Sequence, residues 1–135
     1  LKEIYIASDC LCTSLQIINH LQDCKKDFLQ LERIYIPEFF LKKHLLNKEI
    51  FYLKESHVNF FNLVHEIVEK VEIMLVKSSK GLKMIKPWGL RKETLIILNI
   101  AKRLCYLLRI NDVLRKNVKL SRIDLIFCFI KGIIL

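Results

Sequence analysis

Only 3 glycines and 2 prolines punctuate the 135 residues of this chain. So few glycines leave no material for a phosphate-cradling loop, and no P-loop, dinucleotide fingerprint or EF-hand string is present. The same scarcity argues against disorder and against long turn-rich connections. No run of about 18 apolar residues exists, so no segment reads as a membrane-crossing helix. The nearest, residues 123–135, is too short and contains Lys131. There is no C-x-x-C pair, and the 5 cysteines (Cys10, Cys12, Cys24, Cys105, Cys128) are odd in number. They read as free thiols in a reducing compartment, rather than a closed disulfide set or a zinc site.

Catalytic strings are equally scarce. His65, Glu66 and Glu69 form H-E-I-V-E, one residue short of the zinc-protease pattern because Glu69 stands where the second histidine belongs. His20, His44 and His57 adjoin no serine, cysteine or acid in an activating pattern. The E-x-x-H strings of a di-metal carboxylate bundle are absent. These absences lead to the expectation of a non-enzymatic protein with no catalytic residue, no metal, no cofactor and no small-molecule substrate.

What the chain does have is apolar periodicity. Apolar residues make up 53% of it, above the usual ~45–50%. Residues 49–77 read as one long central helix, with Phe61, Val64, Val68, Val71 and Leu75 at helical spacing and a second row at Phe60, Leu63, Ile67 and Met74. A stripe that wide asks for more than one helical neighbour. Further helices are expected over 3–21, 22–33, 37–46, 93–109 and 122–131, with a short helical turn at 113–117. Pro37 starts one of them, and Ser121 with Asp124 caps the last. The fold class is therefore all-α: a compact irregular bundle, or a short solenoid, of six to seven helices around the 49–77 helix. Residues 1–135 read as a single domain with a basic crossover loop at 78–92, where Ser78, Ser79, Gly81, Pro87 and Gly89 cluster. Leu1 in place of an initiating Met, and an apolar end at Leu135, suggest a fragment of a larger chain.

The net charge of +9 is uneven: residues 1–77 carry −1 and residues 78–135 carry +10. Lys80, Lys83, Lys86, Arg91 and Lys92 lie in the crossover; Arg115, Lys116, Lys119 and Arg122 surround the last turn; Arg103 and Arg109 lie between. Folded together they would make a patch for nucleic acid or an acidic partner, with Trp88 as a core residue, a stacking residue or an interface anchor. The leading expectation is a helical protein–protein interaction module, a scaffolding subunit of a larger complex. The alternative is a DNA- or RNA-binding domain using phosphate contacts, and a lesser one a secreted helical-bundle signalling protein. The expected compartment is intracellular, nuclear or cytoplasmic. Free cysteines make one direct prediction: the denatured, unreduced chain titrates 5 thiols. A count lower by two or four would show bridges.

Overall fold

The computed structural model describes residues 1–134. Among them are six α-helices and one 3₁₀ turn, with no strand. The helices are α1 (Lys2–Gln22), α2 (Cys24–Leu31), α3 (Glu38–Lys43), α4 (Val58–Leu82), α5 (Trp88–Ile110) and α6 (Arg122–Ile134), and the 3₁₀ turn is Lys48–Tyr52. The chain is all-helical, as its periodicity requires. Helix α4 is central: it packs against α1 on one side and α5 on the other, and α5 carries α6. Phe60, Leu63, Val68, Val71 and Leu75 of α4 are almost wholly buried, against Ala7, Leu11 and Ile18 of α1 and Leu98, Ala101, Cys105 and Leu108 of α5 in one core.

The long helix is displaced from its expected position. Residues 49–57 are not part of it, because Phe51 must pack edge-on to Phe60, with ring centroids 6.1 Å apart. From Phe51 to Phe60 is about two and a half turns at ~3.6 residues per turn, so a continuous helix would put them on opposite faces. The chain instead makes the 3₁₀ turn, capped by the Asn47 side chain, which accepts the Glu49 N–H at 3.1 Å, and α4 starts only at Val58.

The crossover at 78–92 is also corrected. Helix α4 continues through Ser78, Ser79 and Gly81 to Leu82, and α5 begins at Trp88, leaving a link of residues 83–87. Serine and glycine act here as contact residues, not breakers. The Ser78 hydroxyl donates to the Ala7 carbonyl across the α1–α4 interface at 2.7 Å. At Gly81 the two helices come so close that a Cβ would stand 2.5 Å from the Ala7 Cβ and 2.7 Å from the Glu3 carbonyl oxygen. Pro87 takes the cap position with φ −59°, a value already suited to a helix start.

Helix α6 buries only Cys128 and Gly132 and leaves Ile123, Ile126, Phe127, Phe129 and Ile130 exposed. Gly132 sits against Ile96 of α5, so α6 runs back along α5. At the other end, Arg103 Nε donates to Asp124 Oδ1 at 2.7 Å.

The close approach at Gly81 makes a two-sided prediction. Gly81→Ala overpacks the α1–α4 contact and lowers stability by about 1–3 kcal/mol. Gly89→Ala, with nothing within 4 Å of its Cβ, leaves stability unchanged or raises it by up to ~1 kcal/mol. Urea denaturation midpoints of the two variants check this.

Candidate functional site: a cationic cleft beside a polar helix face

Helix α1 passes into α2 with scarcely a break. The Asp23 N–H donates to the Asn19 carbonyl at 3.0 Å, and the Asp27 N–H to the Asp23 carbonyl at 2.8 Å. The helical phase is therefore kept from one to the next. One side of this double helix carries Ala7, Leu11, Ile18, Leu21, Cys24 and Phe28, all buried. The opposite side carries Gln16, Asn19, Asp23 and Asp27, spaced at three, four and four residues, which keeps them in one line. Gln16 and Asn19 are exposed, and the two aspartates are half-buried.

Beside this line lies a cleft of about 390 Å³ between the start of α2 and the turn at residues 113–117. Long-range hydrogen bonds hold its two walls together. Lys25 Nζ donates to the Leu53 carbonyl at 2.6 Å and the Leu114 carbonyl at 3.0 Å. Gln22 Nε2 donates to the Val118 carbonyl at 2.8 Å. Asp112 anchors the turn itself: its carboxylate accepts the Ser56 N–H at 2.7 Å, the Leu114 N–H at 2.9 Å and the Ser56 hydroxyl. Burial alone would raise the Asp112 pKa. The Ser56 hydroxyl and the amides of Ser56, Leu114 and Arg115 outweigh it and hold the carboxyl below its ordinary value.

Lys26, Arg115 and Lys116 line the cleft with Asp23. All three cations are exposed, and among the described residues none takes part in an ion pair. They are free to meet an anion. Of the basic residues marked by sequence, the structure brings only Arg115 and Lys116 into this cleft, and it adds Lys25 and Lys26 from α2. Lys119 and Arg122 are exposed on the segment that follows the turn. Lys80, Lys83, Lys86, Arg91 and Lys92 lie around the α4–α5 link, at the far end of α5. The 23 residues of α5 put roughly 30 Å between the two groups at ~1.5 Å per residue. They are two surfaces, not one patch. Arg91 is partly used within the fold, donating to the Ile85 carbonyl at 3.3 Å. Arg109 makes a bidentate pair with Glu72 at 3.0 and 2.6 Å. Trp88 is not a core residue: it is 63% exposed in the first turn of α5.

The H-E-I-V-E string serves the fold. His65 Nε2 meets the Arg109 carbonyl at 2.9 Å, and Glu66 binds Lys43 at 2.6 Å and His44 at 2.7 Å. Glu66 therefore pairs with α3 and its end rather than with Lys70 one turn on. Desolvation pushes the Cys24 and Cys105 thiols up to about 12, so neither is a nucleophile. Among the described residues no three His, Cys, Asp or Glu side chains converge on one point to hold a metal ion unaided.

Residues 2–124 match the squalene/phytoene synthase family. The chain belongs to that family. It is 36% identical over 120 residues to a hydroxysqualene synthase of Sinorhizobium fredii, and 32% identical over 120 residues to one of Rhodopseudomonas palustris. Each match covers 89% of this chain and 41% of the relative. A shorter match, 56% over 36 residues, is to a hydroxysqualene synthase of Zymomonas mobilis and covers 27% of this chain and 12% of that protein. The chain thus spans 41% of the length of the first two relatives. No solved structure matches it.

Membership of a synthase family overturns the expectation of a non-enzymatic scaffolding module. With it go the DNA- or RNA-binding reading, the nuclear placement, the signalling alternative, and the expectation of a subunit partner in place of a small-molecule substrate. Among the described residues no helix is long and apolar enough to cross a membrane. The sequence did hold a signal for the polar line of α1 and α2. Asp23 and Asp27 are one helical turn apart, with two lysines between them and two amide side chains upstream. A search for carboxylates paired with histidine passes over carboxylates paired with amides.

Asp112 makes a pH prediction for the cleft. A carboxyl with a lowered folded-state pKa contributes stability that is present above its unfolded value, about 3.9, and lost as pH falls through the folded value. Stability of the chain declines in that acidic window. In Asp112→Asn the decline is shallower and begins from a lower plateau at neutral pH, as urea titrations at pH 7 and pH 3 would read out.

Proposed function

We propose that this chain supplies the diphosphate-binding wall of an isoprenoid synthase whose substrate is a prenyl diphosphate. The observation that carries the reading is the juxtaposition of three unpaired cations, Lys26, Arg115 and Lys116, with the Gln16–Asn19–Asp23–Asp27 line. A reaction that joins prenyl units carbon to carbon must release a polyanionic leaving group. Its main demand on the protein is charge stabilisation and positioning, not a nucleophile or an oxyanion hole. That demand agrees with a chain that lacks catalytic strings and has an open cationic cleft.

The donor set also fits a hard divalent cation such as Mg²⁺, which is commonly held by one or two carboxylates together with substrate phosphates. Asp23 and Asp27 are the carboxylates, and the side-chain oxygens of Gln16 and Asn19 lie on the same face. Such an ion would neutralise charge on the departing diphosphate. The residues of this chain do the rest: Lys26, Arg115 and Lys116 draw the anion in, while Lys25, Gln22 and Asp112 keep the two walls in register. The proposed compartment is the cytoplasm, on the strength of the bacterial relatives and the absence of paired cysteines among the described residues.

Isothermal titration of inorganic diphosphate into the chain, with and without Mg²⁺, tests the reading. Binding is expected in both, tighter with the metal. Lys26→Glu, Arg115→Glu and Lys116→Glu each weaken it by about tenfold or more, the worth of a charge-assisted hydrogen bond. Asp23→Asn with Asp27→Asn removes the metal-dependent gain alone. Unchanged affinity in the charge-reversed variants overturns the assignment.

A further inference from the structure

Helix α6 is apolar around almost its whole circumference. Of its 13 residues only Arg122, Asp124 and Lys131 carry polar side chains. Cys128 and Gly132 are the residues it buries, with Gly132 against Ile96 of α5. At ~100° per residue, the side turned away from them runs from Phe127 through Ile123, Ile130, Ile126 and Ile133 to Phe129. That is an arc of roughly 160°, in which Arg122 is the one polar side chain. The six residues are 42–65% exposed. A contiguous exposed apolar face of this breadth marks an interaction site. The family match ends at residue 124, so all of the face but Ile123 lies beyond the matched region.

Cations border the face on both sides. Lys131 and Lys102 of α5 line one edge, with Arg103 and Tyr106, in a groove of about 490 Å³ between the two helices. Both lysines are exposed and, among the described residues, neither takes part in an ion pair. Arg122 stands on the other edge, with Lys119 exposed just before it. The one acid of α6, Asp124, is committed to Arg103. A second copy of this chain would cover the apolar arc but set one cationic border against another. An anionic lipid surface answers both features, since hydrocarbon takes the isoleucines and phenylalanines while headgroup phosphates take the cations. At ~1.5 Å per residue α6 is roughly 20 Å long, short of the ~30 Å hydrocarbon thickness, so it suits the plane of such a surface rather than a path across it. We propose that α6 seats this chain on the surface of an anionic bilayer, its Phe127–Phe129 arc in the acyl boundary and Lys102, Arg122 and Lys131 among the headgroups.

Flotation with vesicles of phosphatidylcholine, with and without added phosphatidylglycerol, tests this. The chain is expected to bind the phosphatidylglycerol vesicles about tenfold or more tightly than the neutral ones, and less tightly as salt is raised. In Phe127→Trp, made in a Trp88→Phe background, the indole emission shifts to the blue on the anionic vesicles, which charge attraction alone does not produce. Ile126→Glu with Ile130→Glu, both at exposed positions, keeps the helix content by circular dichroism and weakens vesicle binding by about tenfold or more. Lys102→Glu with Lys131→Glu removes most of the preference for phosphatidylglycerol. Absence of binding to anionic vesicles at low salt overturns the proposal. So does binding that Ile126→Glu with Ile130→Glu leaves unchanged, or a blue shift that never appears. A chain that is dimeric by light scattering, is split by the same glutamates and ignores vesicles would make the face a self-contact instead, and also overturns it. Diphosphate binding is read at a different set of residues and stands or falls separately.

Discussion

The approach of α1 to α4 at Gly81 is the constraint from which the remaining arrangement follows. Only a residue without a Cβ lets the Glu3 carbonyl and Ala7 come so near. The Ser78 hydroxyl, fully buried, satisfies the Ala7 carbonyl at the same crossing. With α1 seated, its apolar side is consumed by α4, and the line from Gln16 to Asp27 is turned outward. The other side of α4 is then left for α5, and α5 in turn carries α6. A polar face on α1 is thus a consequence of where its apolar face is needed.

Polar side chains in this chain divide into those that hold the fold and those left over. Lys25 spans from α2 to two separate carbonyls, and Asp112 ties the turn before α6 to the loop before α4. Arg103 and Arg109 are committed to Asp124 and Glu72. Lys26, Arg115 and Lys116, a few residues away from such partners, have none. The difference is geometric rather than compositional. Each structural cation reaches a carbonyl or carboxylate across an interface, while the cleft cations stand where two walls diverge. Net charge counts both kinds alike, so the +10 of residues 78–135 overstates the charge available to a ligand and mislocates it. Two of the three cleft cations come from that half, and the third comes from the half whose net charge is −1.

The misplacement of the long helix and of the crossover has a common origin. Ser78, Ser79 and Gly81 have poor helix propensity, and propensity is a weak prior that tertiary contact overrides. The energy of packing α1 against α4 outweighs it, and the same residues that look like a break make the contact possible. Residues 49–57 err the other way. Their apolar content looks helical, but Phe51 packs against both Phe28 and Phe60, which a 3₁₀ turn allows and a continuous α4, with Phe51 about two and a half turns from Phe60, does not. The candidate site was legible in part. The carboxylate pair Asp23 and Asp27 and the cations Arg115 and Lys116 are all visible in the chain, but their neighbourhood is not, since about 90 residues separate Asp23 from Arg115 and that loop is closed by tertiary contacts, the Gln22 and Lys25 hydrogen bonds among them.

The residues alone settled the all-helical class, the amphipathic order of the elements and the scarcity of nucleophilic or glycine-rich chemistry. All of these follow from spacing along the chain, and hydrophobic period is a local property. What needed the folded chain was every question of which side chains are spent and which are free. That depends on partners far off in sequence: Leu53 and Leu114 for Lys25, Ser56 for Asp112, and Ala7 for Ser78 and Gly81. A charge or a glycine has no role until the surface opposite it is in place.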